Sequence, residues 1–176
     1  MHKHLILLAL VAAFALAGCS ETPEAEPGST ASQLPDVAGL TVAWQCGHGF
    51  WVGNGDQTLA IRFQAHDANA LATGAAPAVV TLPDPDERWS GTLTLGRDLY
   101  ANWCDDVIEE GEPEPVVAET WAIAAGTIEI VAVPPVDECG PAHGWARGLV
   151  AEADDGRTVE IDDLRLINPA WGCFAG

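Results

Sequence analysis

The sequence predicts an all-β domain: an antiparallel β-sandwich or open barrel of about eight to ten short strands, with at most one short helix. Three observations carry this. Apolar residues recur at every second position in short runs, as in Leu59-x-Ile61-x-Phe63 and Val159-x-Ile161. Turn residues separate those runs, drawn from 18 Gly and 12 Pro together with Asn and Asp. Cys46, Cys104, Cys139 and Cys173 are spread through the body, as in a cross-linked β domain.

Taken in order, Leu40 to Gln45 alternates and is expected as the first strand. Gly47-His48-Gly49 interrupts it, and Phe50 to Val52 resumes. Gly53-Asn54-Gly55-Asp56 is a hairpin turn signal, followed by the strand of Leu59, Ile61 and Phe63. These glycines do not have dinucleotide-loop spacing, and a strand rather than a helix follows them. His66 to Ala78 is Ala-rich and holds the one expected helix. Val79 to Leu82 is a short strand, and Pro83 to Glu87 an acidic turn. Gly91 to Leu95 and Leu99 to Trp103 are expected to pair. Cys104 to Pro115 carries six carboxylates in 12 residues and reads as an exposed excursion. Val116 to Ile123 and Thr127 to Val133 are expected as a hairpin over Ala124-Ala125-Gly126, ended by Pro134 and Pro135. Cys139-Gly-Pro reads as a turn. His143 to Glu152 and Arg157 to Asp162 form a last hairpin over Asp154-Asp155-Gly156. Leu164, Leu166 and Ile167 lead to Trp171-Gly172-Cys173-Phe174.

Upstream of this body the chain changes character. Met1 to His4 carries one formal positive charge, Lys3, and Leu5 to Leu16 is apolar. That run is too short for a bilayer-spanning helix, which needs roughly 20 residues. The layout, with small residues Ala17 and Gly18 before Cys19, is that of a signal peptide over residues 1–18. Leu16-Ala17-Gly18-Cys19 resembles the lipobox of bacterial lipoproteins. The resemblance implies a diacylglyceryl group on Cys19, cleavage before it and acylation of the new amine. Acyl chains at about 0.8 kcal/mol per buried CH2 hold a protein on a membrane without a spanning helix. Ser20 after the cysteine implies the outer membrane in a diderm cell. The competing expectation is an ordinary cut near Ala17, which leaves an odd thiol among five cysteines. Residues 19–36, rich in Pro, Glu, Ser and Thr, are expected as the lipidated flexible tether. Residues 37–176 are expected as a single domain.

Without residues 1–18, six Arg stand against 26 Asp plus Glu, a formal charge of −20. Such a surface excludes nucleic acid as a main partner and repels anionic lipid, so the anchor acts alone. It favours a cationic partner such as a cationic protein or envelope component, divalent metal, or plain solubility in salty water. An even number of body cysteines outside the cytoplasm predicts two disulfides. Three pairings exist; Cys104–Cys139 with Cys46–Cys173 is preferred, because the latter ties the first strand to the last segment. Zinc is disfavoured, since no Cys-x-x-Cys occurs. Of seven Trp, those beside cysteines (Trp44, Trp103 and Trp171) are expected in the core. Trp51, Trp89 and Trp145, near Gly-rich turns, are candidate ligand-stacking residues.

No catalytic constellation is found. Ser90 is the one serine of the body and lacks the Gly-x-Ser-x-Gly elbow. No cofactor is expected. His48 and His143, with Asp105 or Asp106, are the one candidate metal set. Trp44-x-Cys46-Gly47, Gly55-Asp56 and Leu59-x-Ile61-x-Phe63 resemble the opening of bacterial lipoproteins that inhibit animal-type lysozyme, which are small antiparallel barrels. Ser90-Gly91 matches that family's inhibitory loop, but Thr92, Leu93 and Thr94 replace the basic and Tyr residues expected after it. Asn102-Trp103-Cys104-Asp105-Asp106 and Trp171-Gly172-Cys173-Phe174 are similar to secreted bacterial β domains. The expected function is a non-enzymatic, lipid-anchored extracytoplasmic binding protein. Inhibition of a basic cell-wall hydrolase and metal binding are the alternatives.

Overall fold

The computed structural model describes residues 33–43, 47–66, 78–101, 110–135 and 138–173. These belong to one compact unit. They are all-β and contain no helix; residues 67–77 of the expected helix lie outside the described residues. Among the described residues, nine strands form one antiparallel sheet: β1 (Val42–Ala43), β2 (Gly49–Gly53), β3 (Leu59–Ala65), β4 (Ala78–Leu82), β5 (Trp89–Arg97), β6 (Val116–Ala132), β7 (Gly140–Glu152), β8 (Thr158–Ile161) and β9 (Leu164–Trp171). The sheet curls into a nearly closed barrel rather than splitting into a sandwich.

Two long strands make the curl. Residues 116–122 of β6 pair with β5, and residues 126–130 pair with β4 along the same edge. In β7, residues 140–146 pair with β9 and residues 149–152 with β8. The hairpin expected over Ala124-Ala125-Gly126 is therefore corrected. β6 runs straight through it as a 17-residue strand. Its register with β7 shifts on both sides of Ala125, and Gly126 takes φ 135°. A Cβ on Gly126 would come within 2.6 Å of a Leu149 methyl. Three small residues permit a sharp bend as well as a turn, and here they bend the strand. Cys139-Gly-Pro is likewise no turn, because Gly140 and Pro141 begin β7, with a register irregularity at the proline.

The inner face follows period-2 alternation. Leu59, Ile61 and Phe63 of β3 and Trp89 and Leu93 of β5 are buried, while Arg62, Gln64, Ser90 and Thr92 point outward half-buried. Trp171 stacks with Trp89 at 6.3 Å and tilts against Phe50 at 5.2 Å. Trp121 is fully buried, and the Arg157 guanidinium sits 4.8 Å above its ring. Glu119 and Asp155 hold that guanidinium, and its hydrogen bonds keep the Asp155 carboxyl below the usual range.

Closure comes from β9 meeting β2. Among the described residues, the main chain just before β2 makes one parallel bridge to the end of β9, Gly47 to Trp171. Asn168, 0% exposed, supplies more: its Nδ2 donates to the Gly47 carbonyl at 3.0 Å and the Gly49 carbonyl at 2.8 Å. Its Oδ1 accepts from the Ala170 N–H at 2.8 Å. The Gly47 N–H donates to the Cys173 carbonyl at 2.8 Å.

The preferred disulfide pairing is corrected here. Cys139 bonds Cys173 across 34 residues. The register Gly140 to Trp171 sets the two cysteines at one end of the β7–β9 ladder, with Cα atoms 5.0 Å apart. Hydrogen bonds at Gly47, not a disulfide to Cys173, tie the start of the body to its end. Cys46 and Cys104 lie outside the described residues.

A second cluster covers the outer face of β2 and β3. Leu99 and Tyr100 lie in turn, not in the expected strand, and pack with Trp51 and Ala60. The Tyr100 hydroxyl donates to the Leu59 carbonyl at 3.1 Å and occupies the space a Cβ on Gly53 would take. Asn54 organises the adjoining loop by accepting from the N–H groups of Thr58 and Leu59.

Replacing Asn168 with Leu keeps the volume but removes the donors to two buried carbonyls. Urea denaturation is expected to show a loss of about 2–4 kcal/mol, and no loss would show that the closure is not held there. Burial pushes the Tyr100 hydroxyl up to about 12. The folded state keeps a proton that an unfolded tyrosine releases near about pH 10. Stability is therefore expected to fall as pH rises between those values. This chain has one Tyr, so phenolate absorbance read alongside circular dichroism checks it.

Candidate functional site

Of the residues singled out above, the structure joins Cys139 to Cys173 and sets His48 and His143 in different surroundings. Cys19, Cys46, Cys104 and Asp105 lie outside the described residues. His48 sets its ring edge-on to the core indole of Trp171 at 5.6 Å. His143 is exposed on β7, between Ala132 of β6 and Ile167 of β9. One imidazole thus leans on the core and the other faces solvent. Among the described residues, no three His, Cys, Asp or Glu side chains gather to hold a metal ion.

The tryptophans separate by burial. Trp51 is 6% and Trp89 3% exposed, so neither ring stands open to solvent as the stacking expectation has it. Trp51 lies under the Tyr100 turn, and Trp89 points inward because its strand parity puts it on the core side. Trp145 alone of the three is open, at 39%. It stands on the outer face of β7 because its neighbours Gly144 and Ala146 take the inward positions.

Cross-strand register fixes what surrounds Trp145. Glu129 of β6 lies opposite it on one side, Arg165 of β9 on the other, and Val79 of β4 beyond Glu129. Two residues along β7, the Arg147 Cζ sits 5.7 Å from the indole centroid. Arg147 is anchored at both sides, to Glu129 at 2.8 Å and Asp163 at 3.6 Å. Arg165 is exposed and makes no ion pair among the described residues. Val79 and Val131 are exposed on the same stretch of sheet, at 66% and 46%. An open indole face set among guanidiniums and carboxylates can stack and hydrogen-bond at once. Arg147, Arg165 and Glu129 escaped the sequence reading. The alternation His143-x-Trp145-x-Arg147, with small residues between, was the available signal for the first of them.

A second surface feature lies on the outer face of β3 and β5. His66 Nε2 and Ser90 Oγ are hydrogen-bonded at 2.9 Å. Arg62, Gln64 and Thr92 line the cleft with them, and burial lowers the Arg62 pKa. A groove of about 530 Å³ adjoins it, floored by Leu82, Trp89 and Ile123. The nearby Asp84 carboxylate already accepts from the N–H groups of Asp86, Arg88 and Trp89. The Ser–His contact has the composition of a nucleophile and base. Among the described residues, no carboxylate hydrogen-bonds the His66 ring to orient it. Sequence gave no signal for this pair, because 24 residues separate them and only strand register joins them.

No family model, curated protein or solved structure matches this chain.

The two kinds of indole are expected to separate cleanly in stability measurements. Trp145→Ala should cost less than about 1 kcal/mol, and Trp171→Ala about 3–5 kcal/mol. Comparable losses for both would mean that Trp145 is a packing residue.

Proposed function

We propose that this chain is a lipid-tethered, non-catalytic binding domain of the bacterial cell envelope, working outside the cytoplasm. Leu16-Ala17-Gly18-Cys19 supports the tether, and the Cys139–Cys173 bond suits an oxidising compartment. The observation that carries the binding reading is the open indole of Trp145, held on paired strands among fixed charges. A ring of that size exposed on a rigid sheet is a usual anchor of recognition surfaces, in which Trp and Arg are enriched.

Inhibition of a basic cell-wall hydrolase is the second reading. The barrel-shaped sheet and the formal charge of the mature chain support it. Ser90 argues against the loop-insertion route, since it is half-buried within β5 and bonded to His66.

Cell fractionation and affinity capture test the proposal. The full-length chain is expected in the membrane fraction and Cys19→Ser in the soluble fraction; unchanged partitioning would remove the anchor. Immobilised protein is expected to retain an envelope component, and Trp145→Ala to retain about tenfold less. Equal retention by the variant would remove the Trp145 face. Slowed lysis of lysozyme-treated cells on adding the protein would favour the second reading.

A further inference from the structure

We infer that the Trp145 face binds an uncharged glycan chain, a ligand class that rests on the binding-face reading above. Three features of the face select it. The first is shape. Val79, Glu129, Trp145 and Arg165 lie side by side across β4, β6, β7 and β9, a span of about 14 Å at the usual strand spacing. An open strand surface of this kind accepts an extended, flat-sided ligand.

The second feature is charge. In a chain with 26 acids and seven bases, Arg147 here pairs with Glu129 and Asp163, and Arg165 adds a second cation across the register from Trp145, so two bases stand with two acids on the patch. A charged ligand that engages Arg147 would have to separate it from carboxylates at 2.8 and 3.6 Å. An uncharged polyol needs no such break. Its hydroxyls can accept from guanidinium N–H groups and donate to carboxylate oxygens that keep lone pairs.

The third feature is the indole. A pyranose ring has an apolar C–H face and a hydroxyl rim. Trp145, 39% exposed with the Arg147 guanidinium over its ring at 5.7 Å, offers apolar surface next to polar groups, matching that pattern. A lipid surface fits less well: anionic headgroups meet the acidic chain, and acyl chains would desolvate Arg147, Glu129 and Arg165. Nucleic acid is excluded by the same acidity.

The test uses the full-length protein and two soluble probes, the β-1,4-linked tetramers of N-acetylglucosamine and of glucose, followed by calorimetry. Saturable binding to at least one is expected. Trp145→Ala is expected to weaken it at least about tenfold, and Trp145→Phe much less because a ring remains. Arg165→Ala should weaken it about threefold or more, with an unchanged thermal midpoint. Val117→Ala, exposed elsewhere on β6, should bind as the parent. No saturable binding to either tetramer, or binding indifferent to Trp145→Ala, overturns the inference. If the tetramers fail but capture of an envelope protein or of phosphatidylcholine vesicles depends on Trp145, the glycan is wrong and the binding face stands. If nothing depends on Trp145, both fall.

Discussion

One buried amide holds the two ends of the sheet together. β2 and β9 approach without a full ladder, and a barrel left open there would expose two rows of unpaired backbone groups beside the aromatic core. Asn168 resolves this by donating to Gly47 just before β2 and to Gly49 within it, and by accepting once from β9. The Cys139–Cys173 bond lies at the same seam and limits how far β7 and β9 can separate. Core packing, burial of Trp171 and the curvature of β6 and β7 all presuppose that this seam is shut.

Closure then sorts the side chains into two populations. Strand parity sends Phe50, Phe63, Trp89, Trp121 and Trp171 inward, so the barrel's centre is filled rather than hollow. Parity also decides what stays outside. Trp145 faces solvent for the same reason that Ala146 does not. The outer surface therefore carries the open aromatic and polar groups, on the β7 face around Trp145 and along the β3–β5 cleft with His66 and Ser90. Ion pairs with Glu129 and Asp163 hold Arg147 in place on the first of these faces.

The strands of Leu59 to Phe63, Val79 to Leu82 and Arg157 to Asp162 could be read from alternation because each is short and one-sided. Ala124-Ala125-Gly126 misled because small residues lower the barrier to a bend and to a turn alike. Only the partners of β6 choose between them. Leu99 and Tyr100 misled because an apolar pair can cover the outside of a sheet as readily as join one. The cysteine pairing depended on register, which a list of spacings does not contain. Trp51 and Trp89 looked available because they sit near glycines. Their burial was set by a covering turn in one case and by strand parity in the other.

By itself the sequence determined the class of fold, the run of apolar faces and the excess of acidic residues. Those are properties of composition and of neighbours along the chain, and local physics suffices for them. Tertiary structure alone decided that the sheet closes and that Cys139 meets Cys173. It also decided that His66 meets Ser90, that His48 and His143 have separate surroundings, and that Trp145 keeps its ring in water. Each of these joins or isolates residues far apart in sequence, and it depends on strand order and register. Many orders and registers satisfy the same alternating pattern, and only the packed barrel, with its buried polar groups satisfied, selects among them.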